Sequence, residues 1–225
     1  AVMAADNVLA LFLLPLFGAL SDKTNTRIGR RMPYIIGGTA AAVILMNLLP
    51  VLDNAYAASP SPLILGLFIA ALALLLVAMG VYRSPAVALM PDVTPKPLRS
   101  RGNAVINLMG AVGGILYLAL AAVLYPASRK VAGHVDYQPL FIIVSLIMAV
   151  SVLALALTVK EKRLSEENRA LEKQHPDWNL AAKDESGNEV LPKEVKRSLT
   201  FLLASISLWF IAYNGVTTWF TKYIE

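Results

Sequence analysis

The chain has 225 residues, of which 57% are hydrophobic and only 16% are charged, and its mean hydropathy is +0.61. A water-soluble domain of this size could not expose so much apolar surface without aggregating, so the composition excludes a soluble globular protein. The net charge of +5 is concentrated in a few polar loops between apolar stretches, which argues against nucleic-acid binding. We therefore expect an integral membrane protein.

Six apolar stretches follow one another along the chain, each long enough for a transmembrane helix of about 20 residues. They cover residues 1–20, 33–52, 62–82, 104–125, 139–159 and 199–221. Residues 72–79 are apolar at every position, whereas a strand of a membrane barrel would alternate apolar and polar residues. The predicted fold class is an all-α polytopic membrane protein.

A polar segment, residues 160–198, interrupts this series before the last apolar stretch. The predicted domains are a transmembrane bundle over 1–159, a central loop over 160–198, and the first helix of a second bundle over 199–225. Within the loop, the composition of Glu161–Gln174 predicts a surface helix that ends at His175-Pro176. Because Ala1 already lies inside an apolar stretch, we expect the sequence to be an interior piece of a larger polytopic protein.

Basic residues gather in alternate loops. Residues 21–33 and 83–103 each carry a net charge of +3, and 160–198 holds nine charges of each sign. Since Lys and Arg are enriched in the cytoplasmic loops of multispanning proteins, these three loops are predicted to be cytoplasmic, and the loops at 53–61 and 126–138 to lie outside. The expected location is the plasma or inner membrane.

Two of the basic loops carry sequence motifs. Residues 18–31 read GALSDKTNTRIGRR, and residues 83–95 read RSPAVALMPDVTP. They resemble the loops between helices two and three and between helices four and five of the major facilitator superfamily. The form of both is similar to the glycoside-pentoside-hexuronide:cation symporters and the sucrose/proton symporters. The resemblance implies helices two to seven of a twelve-helix bundle, with helices one and eight to twelve elsewhere in the same protein.

The same resemblance implies a function. It is that of a secondary active transporter, not an enzyme, which moves a disaccharide or glycoside together with a proton by alternating access. Two alternatives stay open: an uncoupled sugar facilitator, and a transporter-like sensor or scaffold whose central loop binds a partner. We expect no metal and no organic cofactor. The expected partners are the sugar and the lipid bilayer, and not nucleic acid.

Asp6 is the acidic residue that falls within a predicted span. A charged carboxylate there costs about 2.5–3.5 kcal/mol on insertion scales, so such a residue normally faces a cavity or a partner. Asp6 is therefore the candidate proton-coupling residue. The cation symporters that the chain resembles carry acids at the positions of Ala10 and Leu14, and their absence favours a proton, or no coupling ion, over sodium. Alternatively, Asp6 lies near the outer surface and is simply hydrated.

Charged residues at the predicted helix ends form a candidate cytoplasmic gate. They are Asp22, Arg27, Arg30, Arg31, Arg83 and Asp92. Opposite charges at facing helix ends can pair in one conformation and separate in another, and the resemblance implies such a role for these motifs. The alternative is that the cations only determine the orientation of the chain in the membrane.

Four polar residues within the spans or directly next to one are candidate sugar contacts: Asn103, Asn107, Tyr213 and Asn214. Amide and hydroxyl groups can bond to sugar hydroxyls, and an aromatic ring can stack on the apolar face of a pyranose. The same side chains also hold helices together in membrane bundles, so packing is the alternative for each.

Overall fold

The computed structural model describes residues 2–126, 135–178, 182–183, 189–190 and 192–224, with side chains for 12–126, 135–176, 178, 192–213 and 215–216. The chain divides into two compact units, residues 1–174 and 175–225. Because the first unit ends at residue 174, the helix predicted over Glu161–Gln174 belongs to that unit. The division into two bundles and a central loop stays a prediction.

The described residues form seven α-helices. In chain order they are α1 (Val2–Lys23), α2 (Met32–Ala58), α3 (Pro62–Val93), α4 (Arg99–Leu124), α5 (Gln138–Thr158), α6 (Glu161–Gln174) and α7 (Lys193–Ile224). Two short 3-10 turns, Lys96–Leu98 and Pro176–Trp178, and a two-residue antiparallel pair, β1 (Ala182–Lys183) with β2 (Glu189–Val190), complete the described structure. The all-α fold class is confirmed, and so is the helix predicted over Glu161–Gln174.

Five helical stretches among the described residues are long and apolar enough to cross a membrane. They are Met32–Ala58, Pro62–Val93, Lys96–Leu124, Gln138–Thr158 and Lys193–Tyr213. These correspond to the second to sixth predicted spans. The first predicted span forms helix α1, and its crossing of the membrane stays a prediction because the side chains of residues 2–11 lie outside the described part.

The core of the first unit lies between α2 and α3. Small and aliphatic residues alternate there: Ala42, Leu49, Ala71, Leu75 and Ala78 are buried against one another. At Gly38 the backbones come so close that an added Cβ would lie only 2.9 Å from the Cβ of Tyr82. Close approach through small residues is the usual way in which membrane helices gain packing contacts, since lipid supplies no hydrophobic drive between them.

Helix α5 packs on the other side of α2. The Nδ2 of Asn47 in α2 donates a 2.8 Å hydrogen bond to the Oγ of Ser145 in α5. Helix α3 also contacts α1, α4 and α6, so it is the centre of the unit. The ends of α1, α2 and α3 at residues 23, 32 and 93 therefore meet on one side of the bundle, which is the side predicted to be cytoplasmic.

Candidate functional site

Arg31 lies immediately before α2, and its guanidinium bonds to two other helices. Its Nε donates to Asp92 Oδ2 at the end of α3 at 2.9 Å, and its Nη2 donates to Asp22 Oδ1 at the end of α1 at 2.5 Å. Its Nη1 donates to the Oγ of Ser21 at 2.5 Å. Because the Arg31 side chain is only 6% exposed, these bonds replace the water that it would otherwise bind.

Arg30 binds the same two carboxylates as Arg31. Its Nη2 donates to Asp92 Oδ1 at 2.7 Å, and its Nη1 lies 3.8 Å from Asp22 Oδ1. Each oxygen of Asp92 thus accepts from a different arginine. We refer to Asp22, Arg30, Arg31 and Asp92 as the charge cluster. Its two cations balance its two anions, and it joins the end of α1, the start of α2 and the end of α3.

Glu161, the first residue of α6, holds the backbone that carries both arginines. Its carboxylate accepts the N–H groups of Arg30, Arg31 and Met32, each at 2.9 Å from the nearer oxygen, and the residue is 1% exposed. The first N–H groups of a helix have no partner within the helix and carry partial positive charge. Glu161 therefore caps α2 from a position about 130 residues further along the chain.

Helix α6 also bonds to the far side of the charge cluster. The Nδ2 of Asn168 donates to the backbone oxygens of Asp92 and Thr94, at 3.2 and 3.1 Å. Glu172 forms an ion pair with Arg99 at 2.9 Å. The sequence motifs do not indicate Glu161, Asn168 or Glu172. The available signal was their spacing of seven and then four residues, which puts all three on one face of a helix.

Arg27 and Arg83, the other two predicted gate residues, are exposed. Among the described side chains, neither forms a hydrogen bond or an ion pair with the charge cluster. The structure therefore brings together four of the six residues predicted for the gate, and their role in gating stays a prediction.

The predicted coupling and sugar-binding residues are described to different extents. The side chains of Asp6 in α1 and Asn214 in α7 lie outside the described residues. Asn103 and Asn107 are exposed on α4, where the Nδ2 of Asn107 donates to the backbone oxygen of Asn103 at 2.9 Å. Tyr213 stacks on Trp209 in α7, with ring centroids 5.6 Å apart. Because α4 and α7 belong to different units, each is described by itself, and these site assignments stay predictions.

Comparison with curated proteins and with solved structures gave no match. Comparison with protein families gave one: the model described as Major Facilitator Superfamily matches residues 1–225. This family consists of membrane transporters, and its match agrees with the membrane-length helices and with the loop motifs that build the charge cluster. Since the match covers the whole sequence, the chain belongs to the major facilitator superfamily.

Proposed function

We propose that the chain is part of a sugar:proton symporter, which moves a disaccharide or glycoside by alternating access, and that the charge cluster is its cytoplasmic gate. The observation that carries the proposal is the bonding of Arg31 to Asp22 and Asp92 on two different helices. A contact that joins three helix ends through ionic hydrogen bonds has the chemistry needed to form in one state and break in another.

The exposure of the two acids supports a gate that can open. Asp92 is 17% exposed and accepts from both arginines, whereas Asp22 is 53% exposed. Separation of Asp22 from Arg31 therefore costs less, because water can replace the lost bond at an exposed carboxylate. The pairing of Arg31 with Asp92 acts as the fixed part of the cluster, and the pairing with Asp22 as the part that changes.

The proposals that the substrate is a sugar and that the coupling ion is a proton rest on the sequence alone. The loops at 18–31 and 83–95 have the form found in the sugar-transporting symporters that they resemble. Asp6 is the acid within a predicted span, and a carboxylate in that setting can take up and release a proton. Amide side chains at Asn107 and Asn214 offer both donors and acceptors to a sugar.

The test is uptake of a radiolabelled disaccharide and a radiolabelled β-glycoside by cells that express the transporter, with and without a protonophore. Accumulation above the external concentration that the protonophore abolishes is the result expected for proton symport. Uptake that stops at equal concentrations, with no effect of the protonophore, identifies an uncoupled facilitator. Absence of uptake for a panel of sugars, with correct insertion shown by labelling, would favour the sensor or scaffold.

A further inference from the structure

We propose that a groove between α2 and α5, with a basic rim formed by the loop before α2 and the start of α6, binds one anionic phospholipid. One acyl chain occupies the apolar part of the groove, and the phosphate lies at the basic rim. The site is separate from the charge cluster and from the predicted sugar site, and the proposal does not depend on the transported substrate.

The apolar part of the groove is a cavity of about 500 Å³. Ala40, Val43 and Ile44 of α2 line one wall, and Ala149 and Val152 of α5 line the other. Small residues on both walls leave room for a chain. On α2 the lining extends from residue 36 to residue 44, which is about 12 Å at 1.5 Å per residue. That length is most of one leaflet, since the hydrocarbon core of a bilayer is about 30 Å thick.

A second cavity, of about 400 Å³, continues the groove toward the helix ends. The two cavities share Ile36 and Ala156 as lining residues, so the apolar floor passes from one into the other. Beyond that floor the walls become basic: Arg27 comes from the loop before α2, and Lys160 and Lys162 come from the start of α6. The groove is thus apolar at membrane depth and cationic where the helices end.

The protein compensates only part of the positive charge at the rim. Within the described side chains, Arg27, Lys160 and Lys162 have no ion-pair partner. Arg163 also lines the rim but is paired with Glu167, and Glu166 is the one acid among the lining residues. The unpaired groups therefore leave an excess of positive charge at the mouth of an apolar groove.

This combination fits a phospholipid better than other ligands. Both walls are helices long and apolar enough to cross a membrane, so the groove opens toward hydrocarbon. Basic pockets between transmembrane helices on the cytoplasmic side are typical binding sites for anionic lipid headgroups. A soluble anion would use the rim but not the apolar groove, and a zwitterionic lipid would use the groove but gain little from the cations.

The test is lipid binding to the purified full chain in detergent, measured by native mass spectrometry. The probes are phosphatidylglycerol, phosphatidylcholine with the same acyl chains, and glycerophosphoglycerol, which has the headgroup without the chains. We expect phosphatidylglycerol to bind at least tenfold more tightly than either of the others. Equal binding of the two lipids would overturn the proposal, and equal binding of glycerophosphoglycerol would reduce the site to a soluble-anion site, which also overturns it.

Two pairs of variants locate the site. Arg27→Gln with Lys160→Gln should weaken phosphatidylglycerol binding about tenfold or more, while Arg101→Gln, an exposed cation outside both cavities, should not. Ala149→Phe should fill the groove and weaken binding similarly, while Ala154→Phe, an exposed position on α5 outside the groove, should not. Both alanines are exposed, so folding should be spared. Equal effects of the site variants and their controls would contradict this location.

Discussion

A Cβ placed on Gly29 would collide with the carboxylate of Glu161. Gly29 also has a φ of 128°, a left-handed conformation that side-chain-bearing residues rarely adopt. The loop before α2 therefore has a glycine for two reasons, of which one is local and the other comes from α6. The same carboxylate accepts the N–H groups of Arg30 and Arg31, so the shape of this loop and the position of the charge cluster depend on one residue.

The contact between Gly29 and Glu161 predicts that substitutions at these two residues have non-additive effects on the free energy of unfolding. Glu161→Ala leaves three backbone N–H groups without their acceptor, two of them in buried bonds, and should lower the free energy of unfolding by about 2–4 kcal/mol. Gly29→Ala should lower it by about 1–3 kcal/mol through backbone strain, and further through the collision. The double variant should lose less than the sum, because removal of the carboxylate also removes the collision.

The measurement is chemical denaturation of the detergent-solubilised protein for both single variants and the double variant. Glu167→Ala is the control on the same helix, since Glu167 is exposed and its ion pair is with Arg163, four residues away. It should change stability by at most about 0.5 kcal/mol. Strict additivity of the two substitutions would show that Gly29 and the Glu161 carboxylate do not influence each other, which contradicts the prediction.

Asp22→Asn should shift the resting protein toward the inward-open state, because it weakens the part of the charge cluster that is closest to water. Arg31 keeps its bonds to Asp92, so the shift should be modest, about fivefold in population or about 1 kcal/mol. Single cysteines can be labelled from each side of the membrane, since the chain contains no native cysteine. Labelling from outside should fall.

The matched control is Asp53→Asn, near the opposite end of α2 in the segment predicted to lie outside. It removes the same charge and should leave the labelling pattern unchanged. If Asp22→Asn behaves like this control, the cations of the cluster have a role in membrane orientation only.

Asp6→Asn should abolish accumulation of sugar against its gradient and leave downhill exchange largely intact. Exchange does not require the return of an empty, deprotonated carrier, whereas accumulation does. The measurement is uphill uptake and counterflow in the same preparation of cells or vesicles. Accumulation at the parent level in the Asn variant would rule out this carboxylate as the coupling group.

Asn107→Ala and Asn214→Ala should each weaken sugar binding about tenfold to a hundredfold, equivalent to about 1–3 kcal/mol for a lost hydrogen bond in a water-poor site. One N–H of the Asn107 Nδ2 is bonded within its helix, which leaves the other N–H to donate to a sugar oxygen and the Oδ1 to accept from a sugar hydroxyl. Equilibrium binding and thermal stability should be measured together. Asn25→Ala, in an exposed loop, is the control, and parent-like binding by both site variants would assign the two amides to helix packing.

The helices themselves were largely predictable, because about 20 consecutive apolar residues leave few alternatives to a membrane helix. Their ends were less predictable. The stretch predicted over 62–82 continues to Val93 in α3, through Pro85 and Pro91, and the stretch over 33–52 continues to Ala58 in α2. Hydropathy marks where a helix leaves hydrocarbon, whereas the helix goes on as long as its backbone bonds are satisfied.

The candidate site was also predictable only in part. The motif between α1 and α2 indicated Asp22, Arg30 and Arg31, and the motif at the end of α3 indicated Asp92, so the sequence was sufficient to bring these four together as a hypothesis. Glu161 could not be found by the same reasoning. An acid at the start of a helix normally interacts with its own helix, and nothing local indicates that its carboxylate caps a helix 130 residues earlier.

The attachment of α6 to the first unit has a mechanical consequence for the rest of the chain. From the sequence, the polar segment at 160–198 is a connection of 39 residues between apolar stretches. In the structure, residues 161–174 form α6, which bonds to the rest of the first unit through Glu161, Asn168 and Glu172. Only the 18 residues from 175 to 192 then lead from α6 to α7. At about 3.3 Å per residue their greatest reach is about 60 Å. The covalent connection between α6 and α7 is therefore much shorter than the whole polar segment, and loosening α6 would lengthen it by the 14 residues of that helix.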